Sequence, residues 1–112
     1  MTKTVKKPWG EFEQFSSNEK TTVKIITVKP KQKLSLQYHI QRSEFWRVIE
    51  GSGYVVVGKK KLPAKKGDNF TIPRKALHRI IGGPKGISIL EIAKGNFDEK
   101  DIVRIEDDFG RV

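Results

Sequence analysis

Two histidines, a glutamine and two glutamates carry most of the chemistry open to this 112-residue sequence. Gln37, His39 and Glu44 fall within one short stretch, and the second histidine, His78, stands in a later apolar run beside Arg79. If residues 33–40 form a strand, period-2 alternation puts Gln37 and His39 on one face and Leu34, Leu36 and Tyr38 on the other. Each histidine could serve as a metal ligand. Taken singly, each histidine reads more readily as a hydrogen-bonded structural residue. Glu91 stands between Leu90 and Ile92. Burial there would raise its pKa toward the range of a general base, although an ion-paired or edge-strand glutamate fits the same pattern.

The elements that must position these groups are strands. Val, Ile and Thr number 27 against 8 for Ala and Leu together, so residues that suit a pleated surface far outnumber the best helix formers. Strand character recurs at 11–15, 22–28, 33–40, 45–49, 54–57, 69–72, 77–81 and 86–93. Turn signals separate these runs, among them Pro30, Gly51-Ser52-Gly53, Gly67-Asp68 and Gly82-Gly83-Pro84. Short strands at even spacing predict a sandwich or barrel. Only residues 97–103 suggest a turn or two of helix. No repeat or linker divides the chain, so one domain over 1–112 is expected.

The absence of cysteine excludes disulfides, thiolate metal sites and a cysteine nucleophile. No apolar run approaches the ~20 residues of a membrane span, and the expected location is the cytoplasm, away from any membrane. The net charge of +10 comes mostly from 17 lysines and draws anions. The densest basic run, 59–66, holds neither an aromatic residue nor an arginine. It predicts a solvated hairpin that discourages edge pairing, and no nucleic-acid partner is expected. Six of the thirteen carboxylates lie between Asp98 and Asp108, which suggests an exposed terminal segment. Trp9, Trp46 and Tyr38 are expected in the barrel packing.

Gln37-x-His39-x4-Glu44-x6-Gly51 and Gly67-x5-Pro73-x-Lys75-x2-His78 match fixed spacings that resemble the two motifs of the cupin superfamily. Gln37 stands for the first motif's leading histidine and Lys31 for its glycine, while Lys75 and Gly82 replace the inner glycine and final asparagine of the second. A closer resemblance covers almost the whole chain. Lys7-Pro8-Trp9-Gly10, Leu34-Ser35-Leu36-Gln37-x-His39, Arg42-x-Glu44-x-Trp46, Ile72-Pro73, His78-Arg79 and the tail from Asp101 to Arg111 are similar to the cupin domain of type II mannose-6-phosphate isomerases. In longer relatives that domain follows a mannose-1-phosphate guanylyltransferase domain. The sequence departs from the family at Ile40, Gln41 and Phe45, where histidine is usual, and at Lys7, where arginine is usual.

The resemblance implies a small all-β cupin barrel (a double-stranded β-helix or jelly roll) with little helix, and a homodimer. It implies one divalent metal, zinc first with Mn, Fe, Co or Ni as alternatives, bound by Gln37, His39, Glu44 and His78. The implied reaction interconverts mannose 6-phosphate and fructose 6-phosphate, an aldose–ketose isomerisation that moves a proton between C1 and C2. Arg42 has the family's position for a site residue and, with Glu91, is the catalytic candidate; the plain reading of Arg42 is a surface ion pair. Lys7, Arg79 and Arg104 are the candidates for the phosphate. The alternative is a non-catalytic sugar- or sugar-phosphate-binding cupin, favoured by the changes at Ile40 and Gln41. An iron oxygenase is disfavoured by Gln37, and a nucleic-acid-binding barrel ranks last.

Overall fold

The computed structural model describes residues 2–98 and 100–110, and among these it contains nine strands and no helix. They are β1 (Lys3–Lys7), β2 (Gly10–Gln14), β3 (Thr21–Val28), β4 (Leu36–Tyr38), β5 (Arg42–Val57), β6 (Lys60–Lys65), β7 (Asn69–Ile72), β8 (His78–Gly95) and β9 (Val103–Glu106). All their pairings are antiparallel. The all-β expectation holds, and the fold is of the cupin barrel type.

Two long strands organise the barrel. β5 and β8 run side by side, and the expected separate strands 45–49 and 54–57 are one strand, as are 77–81 and 86–93. Gly51, at φ 74°, and Gly53 do not end β5. They mark where its backbone comes so near β8 that a Cβ would run into the carbonyl of Gly86 or Ile81. The register shifts there bend the strand pair without terminating it. Around this spine, β6 and β7 pair with β5, β3 and β4 pair with β8, and β9 pairs with β4.

The basic run supplies β6, an edge strand in which Pro63 is tolerated and the lysines discourage further pairing. β1 and β2 form a hairpin of their own, tied to β5 where Arg47 donates to both carboxylate oxygens of Glu13 at 2.7 and 2.9 Å. Trp9 therefore does not pack in the barrel as expected: it is 73% exposed at the tip of that hairpin. Residues 97–103 form no helix among those described. The Asp101 N–H closes a single turn on the Asp98 carbonyl, and the remaining bonds run to the turn before β5 and to the site residues. Strand 33–40 shrinks to β4, with Lys33 making an isolated bridge to Ile81.

Alternation along β5 turns Arg42, Glu44, Trp46 and Val48 inward. Trp46 and Val48 join Val28, Val55, Ala64, Ile72, Ile80, Ile87 and Ile89 in the core. Burying each large apolar side chain there stabilises the fold by about 1.5–3 kcal/mol. Arg42 and Glu44 continue the same inward column beyond the core's end, and this places charge inside the barrel.

Candidate metal centre

Each donor reaches the site through strand register. Trp46 of β5 is level with Glu91 of β8, which is level with Lys24 of β3. At the start of β8, His78 is level with Gln37 of β4. Paired residues share a face, so these side chains converge on one cavity of about 220 Å³. Gln37, His39, Arg42, Glu44, His78 and Glu91 line it, with Lys24, Ile26, Leu34 and Trp46. Leu34 lies on the wall with Gln37, not opposite it as strict alternation predicts. The regular strand begins only at Leu36, and its pairing with β9 shifts register between Leu36 and Gln37.

The two imidazoles are fixed in one tautomer. His39 donates from Nδ1 to the carbonyl of Asp101 at 2.6 Å, and His78 from Nδ1 to the carbonyl of Ala76 at 3.0 Å. A carbonyl can only accept, so each Nε2 presents its lone pair to the cavity, and that of His39 accepts from Arg42 at 3.1 Å. Those atoms face Glu44, with His39 Nε2 3.4 Å from Oε2 and His78 Nε2 3.7 Å from Oε1. One ligand atom from each of the three residues lies within 4.8 Å of the others. Burial pulls the pKa of His39 down to about 4 and lowers that of His78 as well, so neither ring carries a proton between these atoms near neutral pH.

Acceptors gathered this closely repel one another unless a cation lies among them. Here the Arg42 guanidinium provides part of that charge, with Nε 3.2 Å from Glu44 Oε2 and the terminal nitrogen 3.1 Å from His39 Nε2. Gln37 spends its amide nitrogen on Ser35 Oγ at 2.8 Å, which leaves Oε1 as the atom for a ligand. His39, Glu44 and His78 thus fit a divalent ion, and Gln37 lines the same cavity.

Residues 1–107 match the family described as mannose-6-phosphate isomerase C-terminal. The chain belongs to this family. Among its relatives, mannose-1-phosphate guanylyltransferase ManC of Salmonella typhimurium is 34% identical over 100% of this chain and 24% of that protein. Xanthan biosynthesis protein XanB of Xanthomonas campestris is 37% identical over 96% of the chain and 23% of its own length. Alginate biosynthesis protein AlgA of Pseudomonas aeruginosa is 36% identical with the same coverage. The chain thus spans about a quarter of the curated relatives it matches. In fold it is similar to the Streptomyces nucleoside dehydratase Pac13 (TM-score 0.66, 16% identity, 95% of this chain and 86% of that one). It is also similar to salicylate 1,2-dioxygenase of Pseudaminobacter salicylatoxidans (TM-score 0.61, 16% identity, 65% and 20%).

The family's tail has a structural task in this chain. Besides its carbonyl on His39, Asp101 accepts from the backbone N–H of Ile40 and Gln41 at 2.9 and 2.8 Å, and these bonds hold its carboxyl below the usual range. Nothing in the spacing of Asp101 marks it as a support of His39, since the contact is made by its backbone oxygen across 62 residues. Trp46 is buried as expected but also donates its Nε1 to Glu44 and Glu91. Glu91 is only 3% exposed, and burial together with the charge of Glu44 lifts its pKa to about 7.

The phosphate candidates fall elsewhere. Lys7 is exposed on β1, outside the cavity lining. Arg79, next to His78 on the alternate face, donates to the carbonyl of Leu34 at 3.0 Å and to Glu106 at 3.1 Å. Arg104 is level with Gln37 but also absent from the lining. Lys24, which nothing in the sequence analysis singled out, does line the cavity.

Proposed function

We propose that the chain is a metal-dependent aldose–ketose isomerase acting on mannose 6-phosphate and fructose 6-phosphate, with zinc as the ion. The observation that carries this reading is the pairing of two carboxylates with different environments beside converging imidazole lone pairs. Glu44 lies against both imidazoles and Arg42, whereas Glu91 is buried, with Oε2 lacking any hydrogen-bond partner. A divalent ion held by Gln37, His39, Glu44 and His78 would supply Lewis-acid polarisation of the sugar's carbonyl and hydroxyl oxygens. Glu91, with its pKa near 7, takes the proton from C2 of the aldose and returns it to C1 while the hydroxyl proton of O2 passes to O1, which balances aldose against ketose without a co-reactant. Arg42, bonded to Glu44 and His39, acts on the enediol through its nearby positive charge and not by donating to the sugar. The small apolar wall of Ile26 and Leu34 keeps bulk water from the reacting carbons.

The alternative, binding without turnover, drew on Ile40 and Gln41. Neither lines the cavity, and Ile40 is half exposed beyond it. Phe45 points to the face opposite Glu44, against Phe15. The proposal includes a cytoplasmic location, where charged sugar phosphates are retained, and a homodimer. Among the described residues no helix is long and apolar enough to cross a membrane. The test is a coupled assay for fructose 6-phosphate formation by protein of known metal content, run in parallel in deuterated water. Metal-loaded protein that binds the sugar phosphate yet forms no isomer and exchanges no hydrogen would establish the binding reading instead.

A further inference from the structure

The cavity that holds the candidate centre contains an unused cation. Of its lining residues only Lys24 and Arg42 are basic. Arg42 is committed: it donates to Glu44, to His39 and to the carbonyl of Asp98 at 3.3 Å. Lys24 has one ionic partner, Glu91 Oε2, at 3.6 Å, beyond hydrogen-bond length, and its Nζ rests 4.7 Å from the Phe97 ring centroid. Its side chain is 39% exposed while that of Glu91 is 4% exposed. Lys24 is therefore partly open to solvent beside the buried carboxylate, and among the described residues its ammonium makes no hydrogen bond.

Charge balance points to what it would meet. Lys24 and Arg42 offset Glu44 and Glu91, so a divalent ion leaves the cavity with an excess of about two positive charges. A phosphate monoester carries roughly −1.5 to −2 at neutral pH and cancels it. Position agrees, because Glu91 separates Lys24 from the imidazoles: the row runs Lys24, Glu91, Trp46, and Trp46 packs edge-on against His78 at 5.5 Å. A hexose 6-phosphate has its reacting carbons and its phosphate at opposite ends, so with the carbons at Glu91 the partly exposed Lys24 side chain meets the phosphate by leaving Glu91 for the solvent side.

We propose that Lys24 binds the phosphate of the substrate at the mouth of the cavity, replacing its loose contact with Glu91. This rests on the isomerase reading and assigns to it the anion site that Lys7, Arg79 and Arg104 do not provide within the cavity. Lys24 acts on affinity for the phosphorylated sugar and leaves the proton transfer to Glu91.

The experiment is calorimetric titration of metal-loaded wild type, Lys24→Gln and Lys24→Arg with mannose 6-phosphate, mannose and inorganic phosphate, with melting temperature and metal content as controls. Lys24→Gln is expected to weaken mannose 6-phosphate and phosphate by about 10- to 100-fold, the range of one charged hydrogen bond, and to leave mannose unchanged. Lys24→Arg is expected to restore most of the loss. In turnover the KM for mannose 6-phosphate should rise. Wild type that binds the sugar phosphate while Lys24→Gln binds it equally well overturns the assignment of Lys24 alone. Wild type that binds no hexose phosphate overturns the isomerase reading and this assignment together.

Discussion

The indole Nε1 of Trp46 stands 3.0 Å from Glu44 Oε1 and 3.3 Å from Glu91 Oε1, so one N–H is shared between the two buried carboxylates of the site. It holds them together despite their like charge. Trp46→Phe removes that donor while keeping most of the packing. Groups that orient metal ligands typically change affinity by about 10- to 100-fold, and a drop of this size in zinc affinity is expected. Metal titration with a competing chelator would read it; unchanged affinity would reduce Trp46 to a core residue.

Metal content tests the donors themselves. The wild type should retain about one divalent ion per chain, and His39→Ala or His78→Ala should lose it, because the remaining ligands cannot compensate inside a barrel. Gln37→Leu should weaken binding while the fold survives. Stoichiometric metal in either histidine variant would remove the assignment.

Glu91→Gln separates proton transfer from binding. The amide keeps size and hydrogen-bonding capacity but cannot accept the proton, so turnover should fall by about 10²- to 10⁴-fold with metal and sugar-phosphate binding retained. Full activity would shift the base to another group.

Stability of the metal-free protein should respond to pH through groups of opposite sign, Glu91 on one side and His39 with His78 on the other. Glu91 has its pKa raised from 4.5 to about 7. The folded state then holds its proton more tightly, so its contribution is full below pH 4.5 and is lost as pH rises through about 7. Glu91→Gln should therefore stabilise the apoprotein at pH 8, by on the order of 2–3 kcal/mol at most, with the gain vanishing in acid. His39, lowered from 6.5 to about 4, behaves the other way: its contribution is present above pH 6.5 and lost as pH falls through about 4. Denaturant titrations across pH 4–8 in the presence of a chelator, on wild type and Glu91→Gln, would expose both limbs.

Val23 and Ile25 are 60% and 61% exposed on the outward face of β3, which pairs only with β8. An apolar edge strand of this kind is a hazard in a monomer and suits the proposed homodimer. Ile25→Asp should then halve the mass measured by sedimentation equilibrium without altering metal content. A monomeric wild type would refute the dimer.

The strand composition and the spacing from Gln37 to Gly51 and from Gly67 to His78 made the all-β fold and the residues that line the candidate site legible in the sequence. Strand alternation is local, and fixed spacings between ligand-type residues survive without knowledge of contacts. What lay outside local pattern came from tertiary structure. Gly51 and Gly53 look like a turn in the chain, yet they serve close approach of β5 to β8, because a missing side chain has the same signature in both settings. Lys24 and Arg79 are both basic residues next to apolar ones, but pairing register puts Lys24 on the cavity and Arg79 against Leu34 and Glu106. Asp101 supports His39 through a backbone carbonyl, a group every residue possesses, so only the path of the chain after β8 could single it out. The sequence by itself determined which chemistries were available; the folding of two long strands into one barrel decided which of those groups share a cavity, because register and burial are properties of paired strands.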